Sequence, residues 1–254
     1  MTEALNEFKE RMSQLRKEAE FVNVAVSLRA RINTAIDWNS DPHATGLARK
    51  FMDTRFENPT GILSGLFLRA VASHEKFGRK LVELLLGDKV ASAKQFKDLP
   101  TNLQTKNIIL TANLLRKINE PKDHVAYDFH AMIKNLASCE PESTDFVLNG
   151  AAFSDSLTSC KAENWTRVLN PLGLEDWPDK ICNSSKISSL LGITKTRACA
   201  DLMISRLDRI IAHRNQIAHG GDVEPVFQYD ELIAHFDFLD ALSESMDSLV
   251  RSKK

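Results

Sequence analysis

Glycine and proline are scarce in this chain, at ten and eight of 254 residues, and tyrosine occurs twice. A β-sandwich or barrel turns at short intervals and needs such residues in quantity, so the shortage argues against those classes and towards helices. Nowhere does an apolar run approach the roughly 18 residues that a membrane span requires. The acidic, charged start MTEALNEFKE is not a signal peptide. The four cysteines, Cys139, Cys160, Cys182 and Cys199, lack the C-x-x-C spacing expected of a zinc site, and a chain this long does not depend on a disulfide framework. They read as reduced thiols, and the expectation is a cytoplasmic protein with no membrane contact, no metal and no cofactor.

With 43% apolar and 26% charged residues, the composition is that of a globular chain with one sizeable core and room for an extension. The net charge of −1 excludes a molecule that attracts nucleic acid over its whole surface. The distribution is less even. Residues 61–135 carry 12 Lys and Arg against 7 Asp and Glu, whereas residues 199–254 carry 6 against 10. The basic excess is either a face able to hold a phosphate backbone or a solvated helix surface.

Hydrophobic periodicity predicts a helix over 3–35, with Leu5, Phe8, Met12, Leu15, Phe21, Val22 and Val26 as its apolar positions. A short helix over 43–55 follows the breaker at 37–42. Asn58 and Pro59 supply a cap and a first-turn proline for a strong helix that the pattern ends at Leu86, before Gly87. Leu63, Phe67, Ala70, His74, Phe77, Leu81 and Leu85 form its stripe. Further helices are predicted from Pro100 to about 119, over about 124–138 and over 161–173. The last two run from about 197 to 219, before Gly220 and Gly221, and over 229–250. Residues 139–160 read as the longest irregular connection. The fold class is all-α, an up-and-down helical bundle, with residues 1–57 as an N-terminal helical extension and 58–254 as the main domain.

The helix ending in Arg214-Asn215-Gln216-Ile217-Ala218-His219 carries the chemistry. With Arg214 at 0° and about 100° per residue, Leu207, Ala218, Ile211, Ile210 and Ile217 all fall within about 60° of it. Asp208, Arg209, Ala212, Gln216 and His219 occupy the other side. Arg214 therefore lies in the apolar stripe, where a guanidinium costs several kcal/mol unless it is paired or lines a cleft. Glu75 is the candidate partner, since Leu68, Val82 and Leu86 lie within about 20° of it and half-bury its carboxylate. The alternative is a surface pair between Glu75 and Arg79 one turn on. His219 stands at a helix C-terminus, where the macrodipole favours a cation. An imidazole there can take a proton from a ribose 2′-hydroxyl or give one to a 5′-oxygen, while an arginine holds the phosphate and the charge of the transition state. Asn215, at i,i+4 from His219, is placed to orient the imidazole or to bond a backbone carbonyl.

The segment LDRIIAHRNQIAHGG resembles the R-x4-6-H motif of the HEPN superfamily, whose active members are metal-independent ribonucleases. Together with LFLRAVASHEKFGRKLVELL, KAENWTRVLNPLGL and the helix that begins at Tyr229, it is similar to the RiboL-PSP-type branch over about residues 60–250. That resemblance implies a bundle that dimerises around the motif helices, so that two Arg/His pairs share one cleft. It makes Arg214 and His219 the catalytic pair, Asn215 the polar third member and Glu75 a supporting carboxylate, with His213 as a further candidate for substrate contact. It implies an RNA substrate, cleavage to 2′,3′-cyclic phosphate ends, and a role as a toxin or an effector in defence against phage. An antitoxin or sensor protein is the partner it suggests. HEPN toxins of the R-x4-H-x-Y type carry a tyrosine where this chain has Gly221, so neutralisation by modification of that tyrosine is not expected. The other readings are a non-catalytic HEPN module that binds RNA or protein, and a structural helical adaptor.

Other residues have simpler explanations. His74 sits centrally in an apolar stripe and reads as a core histidine. His124 and His130, six apart, share no helix face and have no companions at metal spacing. Asp155 and Ser156 fall in a polar stretch with no nucleophile context.

Overall fold

A computed structural model describes residues 1–35, 46, 49–50, 59–119, 127–157, 159–183, 185–219 and 228–252. These residues form ten α-helices, joined by turns and short 3-10 segments, and contain no strand. The expected helix over 43–55 and the Gly220-Gly221 terminator lie outside the described residues, apart from residues 46, 49 and 50. The helices are α1 Glu3–Ala35, α2 Pro59–Ser92, α3 Thr101–Leu115, α4 Phe129–Ala137 and α5 Gly150–Asp155. They continue as α6 Ala162–Leu169, α7 Trp177–Cys182, α8 Ser185–Leu191, α9 Thr196–Ala218 and α10 Tyr229–Arg251. The all-α expectation is met. Among the described residues no helix is long and apolar enough to cross a membrane.

Helix α2 is the axis of the molecule: α1, α5, α9 and α10 all pack on it. It begins at Pro59, and its predicted stripe is buried at every position. Its predicted end is wrong, because the helix passes through Gly87 to Ser92. A glycine costs a helix about 1 kcal/mol relative to alanine. Leu85 and Leu86 before it are buried and Val90 after it packs on the core, which outweighs that cost.

Helix α1 has its apolar side in the same hydrophobic cluster as α2 and α10. Phe8, Met12, Leu15, Ala19 and Val22 are buried at spacings of three and four. Phe21 and Val26, expected on that stripe, are 69% and 38% exposed. Phe21 is about 100° out of phase with Val22, so size gave way to register. Ion pairs fasten the rim: Arg16 to Asp237 and Asp240 on α10, Glu7 to Lys76 and Lys80, and Glu18 to Arg69 on α2.

The stretch 139–160, expected to be irregular, contains α5, and α7 and α8 occupy a region where no helix was predicted. All three are six or seven residues long, too short for a periodic signal. Buried Asn149 organises the turn before α5. Its N–H donates to Asn107 Oδ1 at 3.0 Å, and its amide donates to Thr111 Oγ1 and to the Met132 carbonyl. Gly173, at φ 81°, ends the segment after α6 as the expected stop.

Helix α6 approaches α2 closely at one point. A Cβ on Gly78 would lie 2.7 Å and 2.8 Å from two ring carbons of buried Trp165. Gly78→Ala is therefore expected to lower stability, since about 1–3 kcal/mol of overpacking exceeds the roughly 1 kcal/mol gained in helix propensity. Gly65→Ala on the same helix, with nothing within 4 Å of the added methyl, is expected to hold or raise it. Thermal unfolding of the two variants compares them, and equal shifts would refute the tight contact.

Two imidazoles are sealed in this core. His74 is fully buried beside Ser243 Oγ, 2.9 Å from its Nδ1, and His235 packs its ring on Phe67. Burial, helped for His235 by Arg206, His213 and Arg209, pulls both from 6.5 to about 4. The folded chain keeps them neutral where the unfolded chain takes up protons, so their contribution is present above about pH 6.5 and lost as pH falls towards 4. Denaturant unfolding of His74→Gln is expected to show a shallower fall in stability across that window than the parent. An unchanged slope would count against a neutral core histidine.

Candidate active site

The motif lies on the last turn of α9, where the helix emerges from the core. Leu207, Ile210 and Ile211 are fully buried, Arg214, Asn215 and Ile217 are half-buried, and Ala218 and His219 are exposed. Arg214 therefore sits where the apolar stripe opens, with 32% of its side chain accessible. His219 follows the last helical residue and closes the turn through its N–H to the Asn215 carbonyl at 3.1 Å.

Two groups hold the guanidinium. Its Nη2 is 3.9 Å from Glu75 Oε2 on α2, and its Nη1 donates to Asn215 Oδ1 at 3.1 Å. The Asn215 side chain thus meets the arginine and its carbonyl meets His219 N–H, so one residue braces both members of the motif. Glu75 is nearly fully buried, and its Oε1 has no hydrogen-bond partner. Desolvation raises its pKa above the ordinary carboxylate range, and the charges of Arg214 and then Arg79 only partly offset this. Both pairings open at the sequence level are present in some degree, with Arg214 in ion-pair range and Arg79 acting through its field.

His213, on the neighbouring face of α9, sets its ring edge-on to His235, 6.2 Å between centroids. That position is at the α9–α10 contact. His130 is exposed on α4, and His124 lies outside the described residues. All four cysteines are free. Among the described residues no group of three or more His, Cys, Asp or Glu side chains is arranged to hold a metal ion.

Sequence reasoning weighed Arg79 only as a surface partner of Glu75 and gave Cys160 and Asp155 no role. Arg79 lies one turn beyond Glu75, with its Nε buried and without a hydrogen-bond partner. Cys160 is buried between the fields of Glu75 and Arg79, and burial followed by Glu75 pushes its thiol up, so it stays neutral. Asp155, set aside as loop, accepts from Lys117 Nζ and from Tyr127 OH, both at 2.8 Å. The i,i+4 series Glu75, Arg79, Glu83 on α2 was the available signal.

A model of the RiboL-PSP-HEPN family matches residues 54–252. The chain belongs to that family. The match covers α2 to α10, and α1 precedes it. Comparison with curated proteins and with solved structures gave no match. In this HEPN chain the helix that carries Glu75 and the helix that carries the R-x4-H motif are direct neighbours.

A desolvated carboxylate that burial keeps above its usual pKa makes a distinctive prediction for Glu75→Gln. The raised pKa means the folded state disfavours the ionised form, so at pH 8 the amide variant is expected to match or exceed the parent in thermal stability. As pH falls through the raised pKa the parent takes up its proton and recovers the difference. Melting curves at pH 5 and pH 8 read this, and a variant destabilised equally at both would show that the ion pair is chiefly structural.

Proposed function

We propose that this HEPN chain is an endoribonuclease that cleaves RNA by acid–base chemistry, with Arg214 and His219 as its catalytic pair. The observation that carries this reading is the way Arg214 is held. A half-buried guanidinium is braced by Glu75 and Asn215 at the mouth of the apolar stripe, with an exposed imidazole at the end of the same helix. In this mechanism His219 takes the proton from the ribose 2′-hydroxyl, whose oxygen attacks the adjacent phosphorus. The bond to the 5′-oxygen breaks, that oxygen is protonated, and a 2′,3′-cyclic phosphate remains. Arg214 stabilises the extra negative charge on the pentavalent phosphorus.

One imidazole serves one proton transfer at a time, and Arg214 and His219 stand about 140° apart on an ideal helix. A homodimer that brings two motif helices together supplies a second imidazole as the acid and a composite cleft for both. The exposed Ala218 and half-buried Ile217 beside the arginine are apolar surface for such a contact. A role as a toxin or as an effector in defence against phage, restrained by an antitoxin or sensor protein, fits an RNA-cleaving activity of this kind. A second reading, a non-catalytic HEPN module, is favoured by the Glu75–Arg214 pair itself, which is also a structural tie between α2 and α9.

Purified protein incubated with total RNA in EDTA separates the two. The parent is expected to cleave, leaving cyclic phosphate ends, while Arg214→Ala and His219→Ala lose about 100-fold or more with their melting temperatures held. Intact RNA with the parent, or equal cleavage by all three proteins, would sink the nuclease. Arg214→Ala that unfolds while His219→Ala remains fully active would favour the structural tie.

A further inference from the structure

Two grooves among the described residues carry several cations and differ in what those charges are doing. The larger, about 530 Å³, lies between α1 and α2 and contains Arg69, Lys76 and Lys80. Those three are already paired with Glu7 or Glu18, and the fourth cation of the lining, Arg11, has the carboxylate of Glu10 in the same lining. The smaller, about 360 Å³, lies where the end of α3 meets α5 and α6 and is lined by Asn113, Arg116, Lys117, Asp155, Ser156 and Arg167. Its single carboxylate, Asp155, is engaged by Lys117 and Tyr127. Arg116 has no ion pair among the described residues, and Arg167 bonds only the amide oxygen of Asn164. Both guanidiniums are exposed. Size favours the first groove, but uncompensated positive charge, which is what an anion reads, favours the second.

This groove joins the motif along α2. Glu75 faces Arg214, and two turns on, about 12 Å along the axis, Glu83 accepts from Ser154 Oγ at 3.0 Å, next to Asp155. Arg79 stands between them, with its Nε buried and without a partner. Its charge opposes the upward shift of Glu75 on one side and of Tyr127, pushed up to about 12, on the other. A row of cations therefore runs from Arg214 through Arg79 to Lys117, Arg116 and Arg167. Arg79, Lys117 and Arg116 belong to the segment whose sequence carries the basic excess, while Arg167 comes from α6 and Arg214 from α9.

We propose that the groove between α3 and α5–α6 binds the sugar–phosphate backbone of the RNA strand flanking the scissile bond, with Arg116 and Arg167 contacting phosphates. The inference rests on the ribonuclease reading of Arg214 and His219. A single strand is the form that suits it, because in-line attack by a 2′-hydroxyl needs a backbone free to leave helical geometry. Arg79 continues the positive potential between this groove and Arg214.

Fluorescence anisotropy of a labelled single-stranded oligoribonucleotide, with full-length protein carrying His219→Ala to prevent cleavage, tests the proposal. Arg116→Glu with Arg167→Glu is expected to weaken binding at least about tenfold and to make the slope of log affinity against log salt shallower by about 1.4, the share of two phosphate contacts. Arg116→Ala with Arg167→Ala gives the same direction if the reversals unfold. Arg11→Glu with Lys76→Glu, in the larger groove, is expected to leave binding unchanged. RNA bound equally with and without the two arginines overturns the groove while leaving the nuclease standing. Equal loss from the Arg11/Lys76 control also overturns it, as a nonspecific charge effect. A parent chain that neither binds nor cleaves RNA overturns both readings together.

Discussion

A cation set into an apolar stripe organises this molecule. Arg214 stands where α9 leaves the core, and a guanidinium at that depth needs a partner that an apolar neighbour cannot provide. Glu75 provides it from α2, 3.9 Å away, and Asn215 provides it from the same helix. The pairing holds only if α2 and α9 stay in register, and several other contacts have that effect. Trp165 lies against the bare backbone of Gly78, Ala162 N–H donates to Asp208 on α9 at 3.0 Å, and His74 reaches Ser243 on α10.

Glu75 is an expensive partner. Its burial disfavours the ionised form, and the charges of Arg214 and Arg79 only partly offset that. Buried ion pairs often contribute less stability than an apolar replacement of the same volume. A pair placed at the rim of an opening, with the arginine one-third accessible, makes better sense as a device for positioning a cation than as a source of stability. Cys160 beside it stays a thiol and adds no competing charge.

The parts legible in the sequence were those set by long periodic patterns. The stripe of α2, the limits of α9 and α10 and the burial of Arg214 and Glu75 all follow from 100° spacing over several turns. What escaped was decided by packing. Gly87 reads as a stop, yet Val90 beyond it reaches the core. Phe21 reads as core by its size but points out of phase. Helices α5, α7 and α8 are too brief to show a period, and only their burial against longer helices fixes them. Asn215 was placed correctly on the last turn, but the rotamer that turns its side chain to Arg214 depends on where the guanidinium goes.

The same reasoning explains why Asp155 looked inert. Its partners Lys117 and Tyr127 are 38 and 28 residues away, on segments that only the fold brings together. Each step from Glu75 to Arg79 to Glu83, by contrast, is one helical turn, a spacing that any helix supplies. Local spacing sets the row on α2, and distant packing adds a different end to each side of it: the motif helix beside Glu75, and the α3–α5 turn beside Glu83. Arg79 is shared by both. A change there alters the potential felt by Glu75 and by Tyr127 at once, so the two ends respond together.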